Sequence, residues 1–215
     1  MIKKVIIIGG RGNGTVIAST IEDCIEHGQK YIILGFLNDN ETSINGYSVI
    51  GGIKEQNWYK WGTNVYFIFA MSNVKQAEER YEMLEKLKIP ENRFITIIHP
   101  SAVVSKKAKL GNGVVIMPHA LISPNVVLGN HTQCYAQSFV GHDTVVDEMV
   151  FIANNCSVGG RVTIEKGAHI GSNSSILERV TIGKFSVIGL ASNVLKSTER
   201  KGLYVGNPAK KIKSL

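Results

Sequence analysis

The chain has 215 residues, of which 44% are hydrophobic, 19% charged and 22 are glycine. That length gives one large or two small domains with room for a sizeable core, and so few charges with so many glycines suit turn-rich β structure better than a helical bundle. The net charge of +7 comes largely from a tail in which Lys196, Arg200, Lys201, Lys210, Lys211 and Lys213 face only Glu199; the choice is between a solvated terminus and a surface that attracts anions, and without an RNA-binding signature or a basic stripe interleaved with aromatics a small phosphorylated ligand fits better than nucleic acid.

Val5 to Ile8 is a buried-type β run, followed by the turn Gly9-Gly10-Arg11-Gly12-Asn13-Gly14. Thr15 to His27 has helical spacing, with Ile17, Ile21 and Ile25 expected on one face and Gly28 as its stop. Tyr31 to Leu37 is a second strand, ending in Asn38-Asp39-Asn40. Val65 to Ala70 is a third, Val74 to Leu87 a charged amphipathic helix, and Phe94 to Ile98 a fourth strand. This β-α-β order predicts a small parallel sheet covered by helices over residues 1–98. Ligands of such sheets sit at the carboxyl ends of the strands.

A different grammar governs residues 99–215, and Pro100 punctuates the boundary by disfavouring helix at His99. From Ile98 to Val194 every sixth residue is aliphatic, Cys134 alone excepted, and a free Cys behaves as a small hydrophobe. Helices and alternating strands have periods of 3.6 and 2, so a period of six marks a solenoid. A small or β-branched residue lies two positions before each aliphatic one. Two inward positions per hexad describe a coil with three flat sides, roughly 18 residues per coil. About five coils stack into a prism on the order of 25 Å tall. Gly often follows the large aliphatic residue, where a tight turn is expected. Three prisms packing about a threefold axis would place ligand grooves between subunits.

Cys24, Cys134 and Cys156 form neither a disulfide framework nor a zinc pattern. The apolar stretch opening at Val5 is too short for a signal peptide, and no apolar run is long enough to cross a bilayer. A reducing, cytoplasmic location with no membrane partner is expected.

His142 and Asp143 are the strongest candidates for chemistry. Val140 points inward, so His142 can face out, and Asp143 can hold one imidazole nitrogen while the other acts as a base. The competing reading is a surface His beside a surface acid. His119, His131, His142 and His169 are not spaced as a converging triad, so no metal site and no metal-dependent hydratase is expected. Cys134 and Cys156 fall at inward positions, where Cys is inert packing. Gly159-Gly160 lies one coil beyond His142, where a backbone N–H can stabilise an oxyanion; a tight corner is the alternative. The Gly9–Gly14 turn can place a phosphate at a helix N-terminus, but its third Gly comes too early for the dinucleotide fingerprint.

Taken together, IIIGGRGNG at the start, GFLNDN, NGYSVIGG, the hexads around GHDTVVDEMVFIA and the closing YVGNPAKKIK resemble the bacterial nucleotide-amino-sugar N-acetyltransferases of the bacillosamine and perosamine type. These are related to sialic acid O-acetyltransferases, and the likeness covers nearly the whole chain. It implies a small Rossmann-like N-terminal α/β domain that binds a nucleotide sugar. An all-β left-handed parallel β-helix of hexapeptide repeats would follow it. It implies a homotrimer that moves acetyl from acetyl-CoA to the amine of a nucleotide-diphosphate sugar, a 4-amino-4,6-dideoxy sugar, for bacterial surface glycans, without a metal. By match to the family's motif His142 would be the general base and Asp143 its partner. Gly12, Asn13, Gly14, Asn38, Asp39 and Gly51 would hold the sugar nucleotide. Phe151, Gly160, Ser172 and Leu190 would hold acetyl-CoA, its phosphates toward the basic tail. Two positions depart from the pattern: Tyr135 stands where the family often has Asn, and Phe151 where some members have a second His. O-acetylation of sialic acid or a related sugar, and a non-catalytic β-helix scaffold, are the alternatives.

Overall fold

The computed structural model describes residues 2–53, 58–71 and 77–215. Its N-terminal sheet is built from β1 (Lys3–Ile8), β2 (Tyr31–Leu37), β3 (Ser43–Ile44), β4 (Tyr47–Gly51) and β5 (Val65–Phe69), in the order β3-β4-β2-β1-β5. All neighbours are parallel except the β3–β4 hairpin. That hairpin turns at Asn45 (φ 49°) and Gly46 (φ 81°); Asn-Gly is the pair that adopts positive φ most readily in a two-residue turn. Because β2 and β5 flank β1 on opposite sides, the carboxyl end of β1 is a topological switch point, where open α/β sheets bind ligands.

Helix α1 (Asn13–Glu26) buries Gly14, Ile17, Ala18, Thr20, Ile21 and Cys24. Ile25, expected on that face, is 39% exposed. At 100° per residue Cys24 lies almost directly above Ile17, whereas Ile25 is rotated well off it. The second helix, α2, is seen over Ala77–Lys86; the expected start at Val74 lies outside the described residues. The anticipated fourth strand is also different. Phe94 makes a single parallel bridge to Phe67, while Ile97–Ile98 pairs with Val115–Ile116 and so opens the solenoid.

From there two-residue strands recur every six residues and pair in parallel at a step of 18, as in Leu121↔Phe139 and Phe139↔Ser157. The coils form a left-handed parallel β-helix with three walls. The first wall runs from Ile97–Ile98 up to Gly202–Val205, where Lys210–Ser214 closes it as an antiparallel edge strand. The second runs from Val103–Val104 to Asn193–Val194, and the third from Lys109–Leu110 to Thr181–Ile182. The second residue of each pair points inward: Ile116, Cys134, Val140, Val158, Ile164, Ile170 and Ile188 are fully buried. Each such aliphatic side chain contributes about 1.5–3 kcal/mol by leaving water.

The corners correct one expectation. The left-handed turn residue is the third after the inward aliphatic, as at Asp143 (φ 58°) after Val140. The glycine directly after the aliphatic does not need positive φ; it permits close stacking. A Cβ on Gly141 would lie 2.7 Å from the backbone C of Gly159 and N of Gly160 on the next coil.

The α/β layer covers the first wall. Gln133 donates from Nε2 to the Phe69 carbonyl at 2.9 Å, and Gln29 donates to the Ile98 carbonyl at 3.3 Å. His99 Nε2 lies 3.4 Å from Asp23 on α1. A continuous apolar core joins Ile17, Ile21 and Phe36 to the inward residues of the coils. The second wall stays open, with Val103, Leu121 and Phe139 exposed by 62%, 39% and 38%.

Candidate active site

His142 and Asp143 turn the corner between the second and third walls, after Phe139–Val140 and before Val145–Val146. This is the edge of the prism opposite the wall that the α/β layer covers. Both side chains are exposed, and His142 Nδ1 lies 2.8 Å from Asp143 Oδ2. With the carboxylate accepting from Nδ1–H, the proton is fixed there and Nε2 is left with its lone pair. The Asp143 carboxyl is held below the usual carboxylate range, first by its hydrogen bond to His142 and second by one from Asn125. Asn125 sits one coil below and donates from Nδ2 to Asp143 Oδ1 at 2.9 Å.

One coil above, Gly160 occupies the position equivalent to His142. A Cβ there would lie 2.8 Å from His142 Nε2 and 3.0 Å from Cε1. Only glycine leaves that space to the ring. The Gly160 carbonyl accepts from the Arg179 N–H at 3.1 Å, and its own N–H makes no hydrogen bond among the described residues. An imidazole with a fixed proton and an open Nε2, beside an unspent backbone donor, can accept a proton while a developing oxyanion is held.

The expected acceptor residues gather elsewhere, on the carboxyl edge of the α/β sheet. Gly12 (φ 82°) precedes the first residue of α1, Asn13, and the first turn carries no acid to oppose an anion. Gly14 packs close to the Phe36 ring. The Asn38 N–H donates to the Gly51 carbonyl at 3.0 Å. Its carboxamide shapes the loop, donating to the Gly9 carbonyl at 3.1 Å and accepting from the Asn40 and Glu41 N–H groups at 2.8 and 2.9 Å. Asp39 Oδ1 accepts from the Ile53 N–H at 2.7 Å. Arg11 and Glu41 pair across the rim at 3.0 Å.

The expected acyl-donor residues separate. Gly160 shares the edge of His142. Ser172 and Leu190 stack at the corner between the first and second walls, with Leu190 72% exposed. Phe151 lies on the first wall, 9% exposed. Its ring is 4.8 Å from His169 in parallel stacking and 4.5 Å from Tyr135. It is packing beneath the α/β layer, and the structure does not bring it beside His142. Tyr135 is equally enclosed, with burial pushing its phenol up. Asn125 was not singled out from sequence; the signal was its place one coil, 18 residues, before Asp143.

Cys134 and Cys156 are buried and free. Burial pushes their thiols up to about 12 and about 11, which suits packing rather than nucleophilic attack. Among the described residues no group of three or more His, Cys, Asp or Glu is placed to hold a metal ion. No described helix is long and apolar enough to cross a membrane.

An α/β layer on a left-handed β-helix is the fold that this chain shares with solved acetyltransferases, and the structural likeness runs nearly the length of the chain. Residues 4–84 match the PglD N-terminal domain. UDP-N-acetylbacillosamine N-acetyltransferase of Bacillus subtilis (strain 168) is 30% identical over 126 residues, 54% of this chain and 51% of the relative; the match thus spans about half the length of that curated relative. The acetyltransferase domain of PglB from Neisseria gonorrhoeae FA1090 superposes with a TM-score of 0.83 at 25% identity, covering 98% of this chain and 100% of that one. Its complex with acetyl coenzyme A gives the same score and identity over 99% and 100%. A mutant of perosamine N-acetyltransferase from Caulobacter crescentus, in complex with CoA and GDP-perosamine, shares the fold with a TM-score of 0.84 at 23% identity over 100% and 99%.

Proposed function

We propose that this protein is an acetyl-CoA-dependent N-acetyltransferase. Its acceptor is the amino group of a nucleotide-linked 4-amino-4,6-dideoxy sugar, made for bacterial surface glycans in the cytoplasm. The observation that carries the reading is the His142–Asp143 pair with Nε2 open beside Gly160. Two of the relatives, from Bacillus subtilis and Caulobacter crescentus, are N-acetyltransferases, which favours an amine over a hydroxyl acceptor.

The chemistry follows from those groups. The neutral sugar amine attacks the thioester carbonyl, and the carbonyl oxygen becomes an oxyanion facing the Gly160 N–H. His142 Nε2 takes the amine proton as the C–N bond forms. Collapse breaks the C–S bond, and the imidazolium returns the proton to the CoA thiolate. A thioester is already activated, so the reaction balances with no further reagent. General-base help of this kind is worth about 10²- to 10⁴-fold.

Geometry favours a homotrimer. The Gly12–Gly14 and Asn38–Asp39 shelf lies over the first wall, whereas His142 lies on the opposite edge. One chain therefore does not bring acceptor shelf and base together. A neighbour packed on the open second wall would set its own edge against His142, with Ser172 and Leu190 on the facing corner and the basic tail above them. The shelf would hold the nucleotide through backbone N–H groups at the start of α1.

Titration calorimetry with CoA and with UDP-, GDP- and dTDP-linked 4-amino sugars tests the reading. Saturable binding of CoA and of one such sugar is expected. Binding of neither would leave the chain as a scaffold.

A further inference from the structure

We infer that Asn125 is a positioning residue that keeps Asp143 turned toward His142 and away from Arg161, an inference that rests on the proposed role of His142. Asn125, Asp143 and Arg161 stack at the same left-handed corner of three successive coils, with φ of 62°, 58° and 58°. The carboxylate of Asp143 therefore has two competing partners besides Asn125. His142 Nδ1 is 2.8 Å from Oδ2, and Arg161 Nε is 3.9 Å from the same oxygen. The Asn125 carboxamide holds the other oxygen at 2.9 Å.

That third contact decides the orientation. The terminal torsion of an Asp side chain is broad, so a carboxylate held at one oxygen alone turns easily. A guanidinium prefers to take both oxygens of a carboxylate in a fork. With Oδ1 held toward the coil below by Asn125, the carboxylate does not turn both oxygens to Arg161 on the coil above, and Oδ2 stays on the imidazole. Without the anchor, the carboxylate is free to swing up one coil onto Arg161. His142 would then lose the partner that fixes its tautomer.

The test uses Asn125→Gly, because glycine accepts the positive φ of this corner and removes only the carboxamide. Acetyl transfer is followed in the intact protein for N125G, R161A, the double variant and H142A. The expected result is a fall in kcat of about tenfold for N125G with KM for acetyl-CoA held within about twofold. R161A should stay near the wild-type rate, and the double variant should recover most of the loss, because the competitor is gone. A merely structural role for Asn125 gives no such rescue. An N125G rate within about twofold of wild type, or a double variant no faster than N125G, overturns the inference. If H142A is inactive while N125G is fully active, this inference alone fails. If H142A turns over normally, the proposed base and this inference fail together.

Discussion

His142 and Gly160 occupy equivalent corner positions on adjacent coils, and the imidazole fills the space that a side chain at position 160 would need. The pairing explains why a base can sit there at all, since every other residue would push the ring outward. Gly160 is not at positive φ among the described residues, so alanine fits its backbone and the clash falls on the His142 ring. Gly160→Ala should keep its melting temperature and lose about tenfold or more in kcat through misplacement of Nε2. Steady-state kinetics beside a thermal melt check this; an unchanged kcat would show that the ring does not depend on the glycine.

The stability of the fold depends on pH through one buried histidine. His169 is buried against Phe151, and burial, aided by Arg80, lowers its pKa from the usual 6.5 to about 4. The folded chain thus refuses a proton that the unfolded chain accepts. Stability is intact above about pH 6.5 and is lost progressively as pH falls toward 4, by up to about 3 kcal/mol. His169→Phe preserves the stack on Phe151 and should flatten that part of the profile. Denaturant midpoints measured between pH 7 and 4 decide it; equal slopes in both proteins would exclude His169 as the source.

The open second wall yields a further prediction. Phe139 points outward between Leu121 and Ser157 on neighbouring coils, so Phe139→Asp leaves the core untouched. Sedimentation equilibrium should find a trimer for the wild type and a folded monomer for F139D, with acetyl transfer lost. An active monomer would contradict an intersubunit site.

Much of the architecture is visible in the sequence because the hexads repeat without insertion, so a single period reports every inward residue from Ile98 to Val194. The adjacency of His142 and Asp143 made their pairing equally plain. What escaped depends on contacts across coils. Gly141 looked like a turn residue, although its role is to let Gly159 and Gly160 stack closely. Asn125 is distant in sequence but a neighbour of Asp143 after one full coil. Phe151 was expected near acetyl-CoA although it departs from the family's pattern, and whether its wall faces solvent or the α/β layer is set by how the two parts pack. The exchange of Ile25 for Cys24 on α1 follows from a small rotation that spacing by fours does not resolve, and the β3–β4 hairpin was not among the expected elements, although its Asn45-Gly46 turn is a dipeptide that favours one.

The central claim is tested most directly by thiol release from acetyl-CoA against a panel of UDP-, GDP- and dTDP-linked 4-amino sugars and free sialic acid, with the product identified by mass. Thiol release should depend on one nucleotide-linked amine, yield the N-acetylated sugar, and fall about a hundredfold or more in His142→Ala. Release that no amino sugar stimulates, or that His142→Ala sustains at the wild-type rate, would contradict the account.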